Sequence, residues 1–515
     1  ILIRPLLRAN AMRANNVHVV IFFIILVANI GGALSPLGDP PLFVGFLRGI
    51  EFFWTAKHLW LQTAMVSLIL LAAFFAVDHW FARGDSLPKP VTNPAPIRIR
   101  GSINFILIGL IIAAILISAI WKPGITFGVY GTPAPLQNLA RDAVMIGIAL
   151  LSLWLTPNEH RESNGFTWEP IVEVTQFKGT SETHPALSPN DPFADFEIYT
   201  GYIQQQKQDY VAQPGDYVRT ALMRGLEIEE KVGVNPYKLG MIGSTDSHTG
   251  LASYEEDNFW GKLAFDSTPE TKASFSGGRG ITGWNMGAGG LAAVWAEDNT
   301  REAIFAAFRR REVYATTGSR MRVRFFGGYR FEPQDAEAAD LAGVGYAKGV
   351  PMGGDLAGPP PPKAGLGGLF GTGHASAPTF LVHAVKDPRG GNLDRIQIVK
   401  GWIGRDGRAR EKVHDVVWAG AREPGESGEL PPIGNTVDLD RGTFTNTIGA
   451  RELATVWRDP DFNPARRAFS YVRVLEIPTP RHSLLDGIAL QIDPPDEQPP
   501  TLQERAYTSP IWYTP

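Results

Sequence analysis

Apolar residues are concentrated in the first third of the chain, whereas apolar and polar residues are mixed along the rest. Four long apolar runs lie at residues 17–34, 59–77, 103–121 and 139–155. Each approaches the roughly 20 residues that cross the hydrocarbon core of a bilayer. The buried helix of a large soluble protein is the alternative, but the third run is almost uniformly apolar and its neighbours match it. The pattern predicts a transmembrane fragment of about four helices over residues 1–156.

Basic residues flank the four runs unevenly. They are Arg4, Arg8 and Arg13 before the first run, Arg83, Lys89, Arg98 and Arg100 between the second and third, and Lys122 after the third. Because basic loops stay on the cytoplasmic side of a membrane, the chain is predicted to leave its last span in the cytoplasm. We expect a multi-pass protein of the bacterial inner membrane, in contact with the lipid bilayer, whose soluble part is cytoplasmic.

The first run ends in a stretch of helix-breaking and polar residues at 29–41, which includes two adjacent glycines and three prolines. Unwound backbone persists at membrane depth only where it is buried in protein or lines a wet cavity, and half-helix ends there bind ions. Asn29 and Asp39 are the polar side chains that would line such an ion path. A Pro-rich extracellular turn after an ordinary span explains the spacing equally well.

Residues 16–43, together with the sequence at 164–168, resemble the sodium/proton antiporters of the ion-transporter superfamily that also contains citrate and arsenite carriers. The resemblance covers residues 1–173. It implies cation/proton exchange by inverted repeats with broken helices, and the stretch at 31–41 matches one such element. Only part of one repeat matches, and the chain starts at Ile1 rather than Met, so we expect it to begin within a gene.

After the last apolar run, polar loops punctuated by Gly and Pro take over. A helix is predicted from an Asp216 N-cap to Val232, with Gly233 in the C-cap role. A strand at 238–243 follows and leads directly into a loop rich in Ser and Thr. The order of helix and strand is typical of an α/β domain.

A second helix is predicted to start at Asn299 or Thr300, because Asn299 and Glu302 have the spacing of a capping box. Its buried face would consist of Ala303, Ile304, Ala307 and Phe308. We place the α/β domain at residues 171–326, after a linker at 157–170.

Residues 327–515 are dominated by short β-rich stretches separated by turn residues. Clear examples lie at 380–385, 395–399 and 471–476. These stretches predict a C-terminal antiparallel β domain, and a Gly- and Pro-rich segment at 353–378 predicts a long surface loop within it.

Composition excludes some function classes. The 515 residues carry a net charge of -4 and no basic run with interleaved aromatic residues, so nucleic-acid binding is not expected. The absence of cysteine excludes thiolate metal ligands and a cysteine nucleophile, so a metal would be held by His and carboxylate. The mean hydropathy of -0.06 resembles that of a soluble protein only because it averages two very different regions.

Three short motifs could supply metal-ligand chemistry. Asp246-x-His248 follows a predicted strand, Glu173 ends a short apolar stretch, and Glu182-x-His184 adds a second carboxylate and imidazole. Carboxylate oxygens with imidazole suit Mn, Fe or Zn, and a water molecule bound to the metal would be the nucleophile. Taken singly, an Asp-x-His in a Gly/Ser loop is more often a capped turn than a ligand pair.

Five segments add a second resemblance. They are residues 178–187, 242–250, 257–261, 309–318 and 505–513. They look like a large bacterial domain family of unknown function that is allied to the PHP metallo-phosphoesterases, and the match covers about residues 171–515. The resemblance implies a distorted α/β barrel whose strand ends carry two or three metal ions and hydrolyse phosphoesters or related esters.

The same resemblance assigns roles to single residues. Glu173, His184, Asp246 and His248 would be metal ligands, and we expect them to cluster. Arg311 and Tyr314 would contact the small-molecule substrate, although packing at a helix end accounts for them equally well.

The chain also departs from that family. Its opening strand carries a His-x-His pair, and none of the ten histidines here forms one. The early strands of the barrel are replaced by the apolar runs. We therefore expect a multi-domain protein with a partial PHP-like α/β barrel, an incomplete metal site and poor metal affinity.

Three functional hypotheses follow. The soluble part is a remnant of a metal-dependent hydrolase, or the chain is a cation/proton antiporter with a soluble appendage, or it is a fusion with neither activity. We rank the last first for the chain as it stands. Because residues 170–174 suit both families, we interpret the junction there as a chimeric boundary rather than an evolved domain fusion.

Overall fold

The structure, a computed structural model, describes most of the chain in two compact units, Ile1–Glu162 and Ser163–Pro515. We call them the N-terminal unit and the C-terminal unit. The described residues are 17–34, 54–82, 103–121, 123–129, 132–155, 170–199, 210–251, 253–274, 282–358, 377–426, 428–494 and 498–515. Asp39 and most of the predicted linker at 157–170 lie outside these residues, as does the side chain of Asn29.

The N-terminal unit is helical. Its helices are α1 (Val17–Phe23), α2 (Trp54–Ala82), α3 (Ile103–Ile120) and α4 (Leu136–Leu155). A short antiparallel hairpin of β1 (Thr126–Val129) and β2 (Thr132–Pro135) joins the last two helices. The helix α1 continues as a π-helical segment, Ile24–Ile30, and a 3-10 turn, Gly31–Leu34, so regular α-helical geometry ends before the adjacent glycines.

Two of the described helical segments are long and apolar enough to cross a membrane. They are Val17–Leu34, with a mean hydropathy of 2.5, and Trp54–Phe81, with a mean hydropathy of 2.0. In the second segment, none of the 18 most apolar consecutive residues is buried by the rest of the protein. Its apolar surface is therefore available to lipid. These segments indicate membrane association, while the four-span topology stays a prediction.

The C-terminal unit contains five helices among its described residues. They are α5 (Val218–Val232), α6 (Pro269–Ser274), α7 (Arg301–Arg310), α8 (Leu341–Lys348) and α9 (His482–Leu490). The left-handed Gly233 ends α5 as predicted, with φ +79°. The helix starts at Val218 rather than beside Asp216, whose carboxylate instead accepts a hydrogen bond from the main-chain N–H of Gln213 (2.9 Å).

The helix α7 begins after Thr300, whose side-chain oxygen accepts a hydrogen bond from the main-chain N–H of Ala303 (3.3 Å). Thr300 is therefore the cap, and Asn299 is not. Of the four residues predicted to be buried, Ala307 is fully buried and the others are half-buried.

Strands make up most of the C-terminal unit. They are β3 (Ile171–Gln176), β4 (Gly179–Thr180), β5 (Gly240–Gly243), β6 (Leu291–Val294), β7 (Val313–Thr316), β8 (Arg322–Gly328), β9 (Gly349–Pro351), β10 (Asp355–Ala357), β11 (Thr379–Val385), β12 (Leu393–Ile403), β13 (Ala409–Trp418), β14 (Glu452–Arg458), β15 (Ala468–Glu476), β16 (Thr479–Pro480), β17 (Thr501–Leu502), β18 (Arg505–Thr508) and β19 (Ile511–Thr514).

The strands form one large sheet and several smaller ones. In the large sheet β15 pairs with β12 on one edge and with β18 and β19 on the other, β12 continues to β13, and β18 continues to β7 and β6. A second sheet has the order β14-β11-β8-β9, and a third has the order β4-β3-β5. Within the described residues only β3 with β5 and β10 with β19 pair in parallel. The C-terminal part is thus largely antiparallel β, as predicted.

The large sheet is covered on both faces. On one face Val472 and Val474 of β15 pack in a core with Phe325 and Val382 of the second sheet. Alternate residues of β15 point the other way, where Tyr471 packs in a second core with residues of α5, β3 and β5. One strand therefore holds the two halves of the unit together.

The domain boundary predicted at residues 326 and 327 falls inside β8. That strand pairs with β11, and β7 pairs with β18, so strands from both sides of the boundary share the same sheets. The two predicted domains form one compact unit in the structure.

Candidate functional site

The candidate site lies where the parallel strands β3 and β5 end side by side. The main-chain N–H of Ser244 donates to the carbonyl of Thr175 (3.0 Å), and that of Phe177 donates to the carbonyl of Thr245 (3.2 Å). These bonds tie the loop after β5 to the end of β3. Polar side chains from both strands are thereby brought to one edge of the sheet, which is where α/β proteins place functional groups.

Asp246 is the centre of this edge. Its backbone is left-handed, with φ 55°, a conformation that costs energy for any residue with a Cβ but that Asp tolerates better than most. The strained geometry lets both its carboxylate and its carbonyl face Lys262, whose Nζ donates to Oδ2 (2.5 Å) and to the carbonyl oxygen (2.7 Å). Lys178 donates to the same Oδ2 (2.6 Å). Non-glycine residues in the left-handed region cluster at functional sites.

The two ammonium groups change the protonation of the site. Burial raises the pKa of Asp246, but the hydrogen bonds from Lys178 and Lys262 outweigh it and hold the pKa below its usual value. Burial lowers the pKa of Lys262, the hydrogen bond with Asp246 opposes this shift, and the charge of Lys178 adds to it. The net result is a partly buried cation whose proton is held less tightly than that of an ordinary lysine.

Glu173 and His248 flank Asp246. The hydroxyl of Ser244 donates to Glu173 Oε1, and the charge of Glu173 acts on Lys262. His248 Nδ1 lies 2.9 Å from the main-chain carbonyl of Asp246, which requires the proton on Nδ1 in a neutral ring. In that tautomer Nε2 of the half-exposed imidazole carries no proton and can accept a hydrogen bond.

The structure does not join His184 to these three residues. Its Nδ1 accepts a hydrogen bond from the main-chain N–H of Ala186 (3.1 Å), and its ring lies against Tyr210 and Tyr217 at the start of α5. Its motif partner Glu182 is fully buried and paired with arginines. Glu173, Asp246 and His248 are brought to one edge, while His184 has other contacts.

The side chains at this edge do not fit a divalent metal ion. The carboxylate of Asp246 accepts hydrogen bonds from two ammonium groups at Oδ2, and these positive charges would repel a metal ion bound to the same carboxylate. Among the residues that the structure describes, no group of three His, Asp or Glu side chains could hold a metal ion. The arrangement suits an anionic ligand better.

Arg311 and Tyr314 make packing contacts. Arg311 ends α7 in a left-handed conformation and donates to the carbonyl of Lys238 (2.9 Å) and to Asp355 (3.3 Å). The hydroxyl of the buried Tyr314 donates to the carbonyl of Met321 (2.9 Å). Both contacts are within the protein, and a role of either residue in substrate binding stays a prediction.

Sequence reasoning missed Lys178 and Lys262. Both adjoin or belong to segments that carried the second resemblance, since Lys178 opens one and Lys262 directly follows another. A lysine has no short motif of its own, and its link to Asp246 spans 68 positions in one case and 16 in the other. The tertiary structure shows which carboxylate they contact: the pairing of β3 with β5 brings Lys178 to Asp246, and a main-chain hydrogen bond from His248 to the carbonyl of Lys262 (2.8 Å) brings Lys262 there.

Comparisons with known proteins divide the chain in the same way as the structure. Residues 1–183 are similar to the CitMHS_2 family, whose description is "Putative citrate transport". Neither a curated protein nor a solved structure matches the chain. Residues 157–515 match the model of a family described as a protein of unknown function, DUF3604, and this match covers more than half of the chain. The chain belongs to the DUF3604 family.

Proposed function

We propose that the C-terminal unit derives from PHP-like metal-dependent hydrolases and retains their site for phosphoesters or related esters, without efficient turnover in this chain. The observation that carries the proposal is the left-handed Asp246 in the loop after β5, which holds two lysines beside the half-exposed imidazole of His248. Such an arrangement at the ends of parallel strands is typical of ligand sites in α/β folds.

The ammonium donors favour an anionic group. Asp246 and Glu173 balance the charges of Lys178 and Lys262, but each ammonium group has three N–H donors, more than its hydrogen bonds to Asp246 use. Ammonium groups are established ligands of phosphoryl oxygens. The imidazole of His248 is half-exposed, and its Nε2 would meet the bound group as an acceptor or, once protonated, as a donor.

The proposal also predicts weak metal binding. Mn, Fe or Zn bound to the carboxylate of Asp246 would lie beside the ammonium groups of Lys178 and Lys262, which would repel it. A metal ion that is bound by fewer protein ligands loses much of its binding free energy. We infer a poor metal site and little or no metal-dependent hydrolysis.

The test uses the full chain in detergent micelles, with inorganic phosphate as the ligand and p-nitrophenyl phosphate with Mn²⁺ as the substrate. We expect phosphate binding in calorimetry that the double variant Lys178→Met, Lys262→Met weakens by roughly tenfold or more. The exposed Lys231→Met is the matched control and should bind as the wild type does. Phosphate binding that survives the double variant contradicts the site.

Turnover separates the two parts of the proposal. We expect the wild type with Mn²⁺ to hydrolyse p-nitrophenyl phosphate no faster than Asp246→Asn does. Robust Mn²⁺-dependent hydrolysis that Asp246→Asn removes would show an intact metal centre and overturn the inference of an impaired one.

We also propose that the N-terminal unit places the chain in the inner membrane as a multi-pass segment, with the C-terminal unit in the cytoplasm. The apolar segments Val17–Leu34 and Trp54–Phe81 and the similarity to CitMHS_2 support this topology. Cation/proton exchange is the alternative function of the chain. Recovery of the full chain as a monodisperse soluble protein without detergent would contradict the membrane assignment.

We infer, finally, that the two families meet at a chimeric junction. The two matches overlap over residues 157–183, so the same short stretch satisfies both families. Amplification of source DNA across the codons for residues 168–180 tests this inference. A single intact frame in several independent isolates would instead establish a natural membrane-tethered protein.

A further inference from the structure

A second site is formed by a pocket of about 580 Å³ in the C-terminal unit. It lies between the segment at residues 254–258 and the ends of β15, β16 and β17. Its carboxylates are Glu255, Glu256, Asp257, Asp387, Glu476 and Glu504. The basic side chain in its lining is Arg389, which is 77 % exposed and lies 3.5 Å from Glu255. Pockets of this volume hold small molecules, and this one is strongly acidic.

One of the carboxylates is buried and points a free oxygen at the pocket. Glu504 is 8 % exposed. The hydroxyl of Thr317 donates to its Oε2, whereas its Oε1 has no hydrogen-bond partner among the described residues. Because this oxygen is not fully buried and belongs to a residue of the pocket lining, it is accessible to a ligand in the pocket.

Two further glutamates are fixed around Glu504. Glu476 is 1 % exposed and accepts hydrogen bonds from the hydroxyl of Ser319 and from the main-chain N–H of Gly391 (3.0 Å). Glu256 accepts one from the main-chain N–H of His482 (2.6 Å), at the start of α9. Each is held by donors on a different element, so the carboxylates are preorganised before any ligand binds.

The pocket lacks positive charge to match these carboxylates. Glu256 is faced by Glu197, Arg481 and Lys272, and Glu476 by Asp387 and Lys386. Glu504 is faced by Glu256, Glu476 and Glu197, and by no cation of comparable effect among the described residues. Arg481 is itself bound by Glu197 (2.7 Å). A ligand that carries positive charge would supply what the protein does not.

We propose that this pocket binds an organic cation with primary ammonium or guanidinium groups, and that Glu256 and Glu504 contact its charged ends. A metal ion is a poorer fit, because no group of three His, Asp or Glu side chains in the described part of the chain is arranged to hold one. Spaced carboxylates match an extended organic cation, and Phe444 and Leu485 provide an apolar wall for its methylene groups.

The site has a characteristic pH dependence. Burial and then the charge of Glu197 raise the pKa of Glu256 to about 7, and burial raises that of Glu476 to about 8. Burial and then the charge of Glu256 raise the pKa of Glu504. A cation favours the ionised carboxylates, so its binding should release protons and should strengthen as the pH rises from 6 to 8.

Calorimetry of the full chain in detergent micelles at pH 8 tests the proposal, with putrescine as the probe. We expect putrescine to bind and the neutral isostere 1,4-butanediol not to bind. Glu504→Gln and Glu256→Gln should each weaken binding by roughly tenfold or more, since each removes one charge-assisted contact. The exposed Glu302→Gln is the matched control and should leave binding unchanged.

Two outcomes overturn the proposal. Equal binding of putrescine and butanediol would exclude charge recognition, and affinities unchanged in both Gln variants would place the probe elsewhere. If Glu504→Gln fails to fold, as judged by thermal unfolding, Glu256→Gln and proton release carry the test. Titrations in two buffers of different ionisation enthalpy measure that release, and a value of zero would also contradict the site. None of these residues belongs to the edge around Asp246, so the result is independent of the proposed function.

Discussion

The two units differ in the kind of side chain that they expose and the kind that they bury. On α2 of the N-terminal unit, large apolar side chains such as Leu68 are 67 % exposed, whereas Arg473 in the C-terminal unit is 0 % exposed. Apolar surface in water is unfavourable unless lipid covers it, and a buried charge is unfavourable unless it is paired. The first unit therefore depends on its solvent, and the second depends on partners within its own fold.

Those partners form a buried ion cluster. Arg473 donates to Asp191 (2.6 Å) and to Glu182 (3.2 Å), and Arg219 donates to Asp191 (2.8 Å) and to Glu182. The hydroxyl of Tyr471 also donates to Glu182. Because these residues come from the loop after β4, from α5 and from β15, the cluster fastens the α5 side of the unit to the large sheet.

The largest expected effect breaks this cluster. Arg473→Met should destabilise the C-terminal unit by about 3–5 kcal/mol, because it leaves Glu182 and Asp191 buried with less compensating charge. Urea unfolding of the full chain in detergent, followed by tryptophan fluorescence, measures the effect. The exposed Arg309→Met serves as the control, and equal midpoints for the two variants would contradict the structural role of the cluster.

A charge on the apolar surface of α2 tests the other side of the comparison. Leu68→Arg should cost about 2.5–3.5 kcal/mol of membrane insertion and reduce recovery of the chain after carbonate extraction of membranes. Leu439→Arg places the same change at an exposed leucine of the C-terminal unit, where it should alter stability by about 0.5 kcal/mol or less. Similar losses from both variants would remove the distinction between lipid-facing and water-facing surface.

Buried carboxylates make the stability of the C-terminal unit depend on pH. The raised pKa values of Glu256, Glu476 and Glu504 mean that the fold favours their protonated forms. Their stabilising effect is complete below the ordinary pKa of 4.5 and is lost as the pH rises through about 7 and about 8. Glu182 and Asp191 have lowered pKa values, so the fold favours their ionised forms. The stabilisation that they contribute is lost only when the pH falls.

We therefore expect the unfolding temperature to fall from pH 6 to pH 9, and Glu504→Gln to reduce that fall by several degrees. Differential scanning calorimetry across this range measures it. The exposed Glu302→Gln should follow the wild-type curve. A wild-type curve that rises over the same range would contradict the assignment.

The smallest expected effect concerns the candidate site. Asp246→Asn keeps a residue that tolerates the left-handed backbone but removes the charge between Lys178 and Lys262. The side chain is 30 % exposed, so solvent screens the pair and the loss should be about 1 kcal/mol or less at pH 7. Asp246→Val should cost more in the same thermal unfolding assay, because a β-branched residue resists this conformation. Equal stability of both variants would show that the loop relaxes without strain.

Local patterns predicted many elements well. The Gly233 helix end, the start of α7 near Thr300 and the strands at 380–385, 395–399 and 471–476 all have counterparts in the structure. Each depends on residues only a few positions apart. The start of α5 was less predictable, because the carboxylate of Asp216 accepts a hydrogen bond from the main-chain N–H of Gln213 and does not cap the helix.

The candidate site was only partly predictable. Its Asp246 and His248 belong to one loop, and Glu173 reaches it through the parallel pairing of β3 with β5. His184 has the right chemistry but lies against Tyr217, since the turn after β4 carries it towards α5. The expectation that all four residues cluster stays a prediction.

By itself, the sequence determined where the chain is apolar enough for lipid and where it alternates as antiparallel strands, because both signals repeat over a few neighbouring residues. Tertiary structure alone decided which charges meet. Lys178 is 68 positions from Asp246, and Glu182 is 291 positions from Arg473. Pairing over such separations depends on how the sheets and helices pack, and no local pattern encodes it. The same packing gathers the acidic pocket from strands, loops and a helix that are remote in sequence.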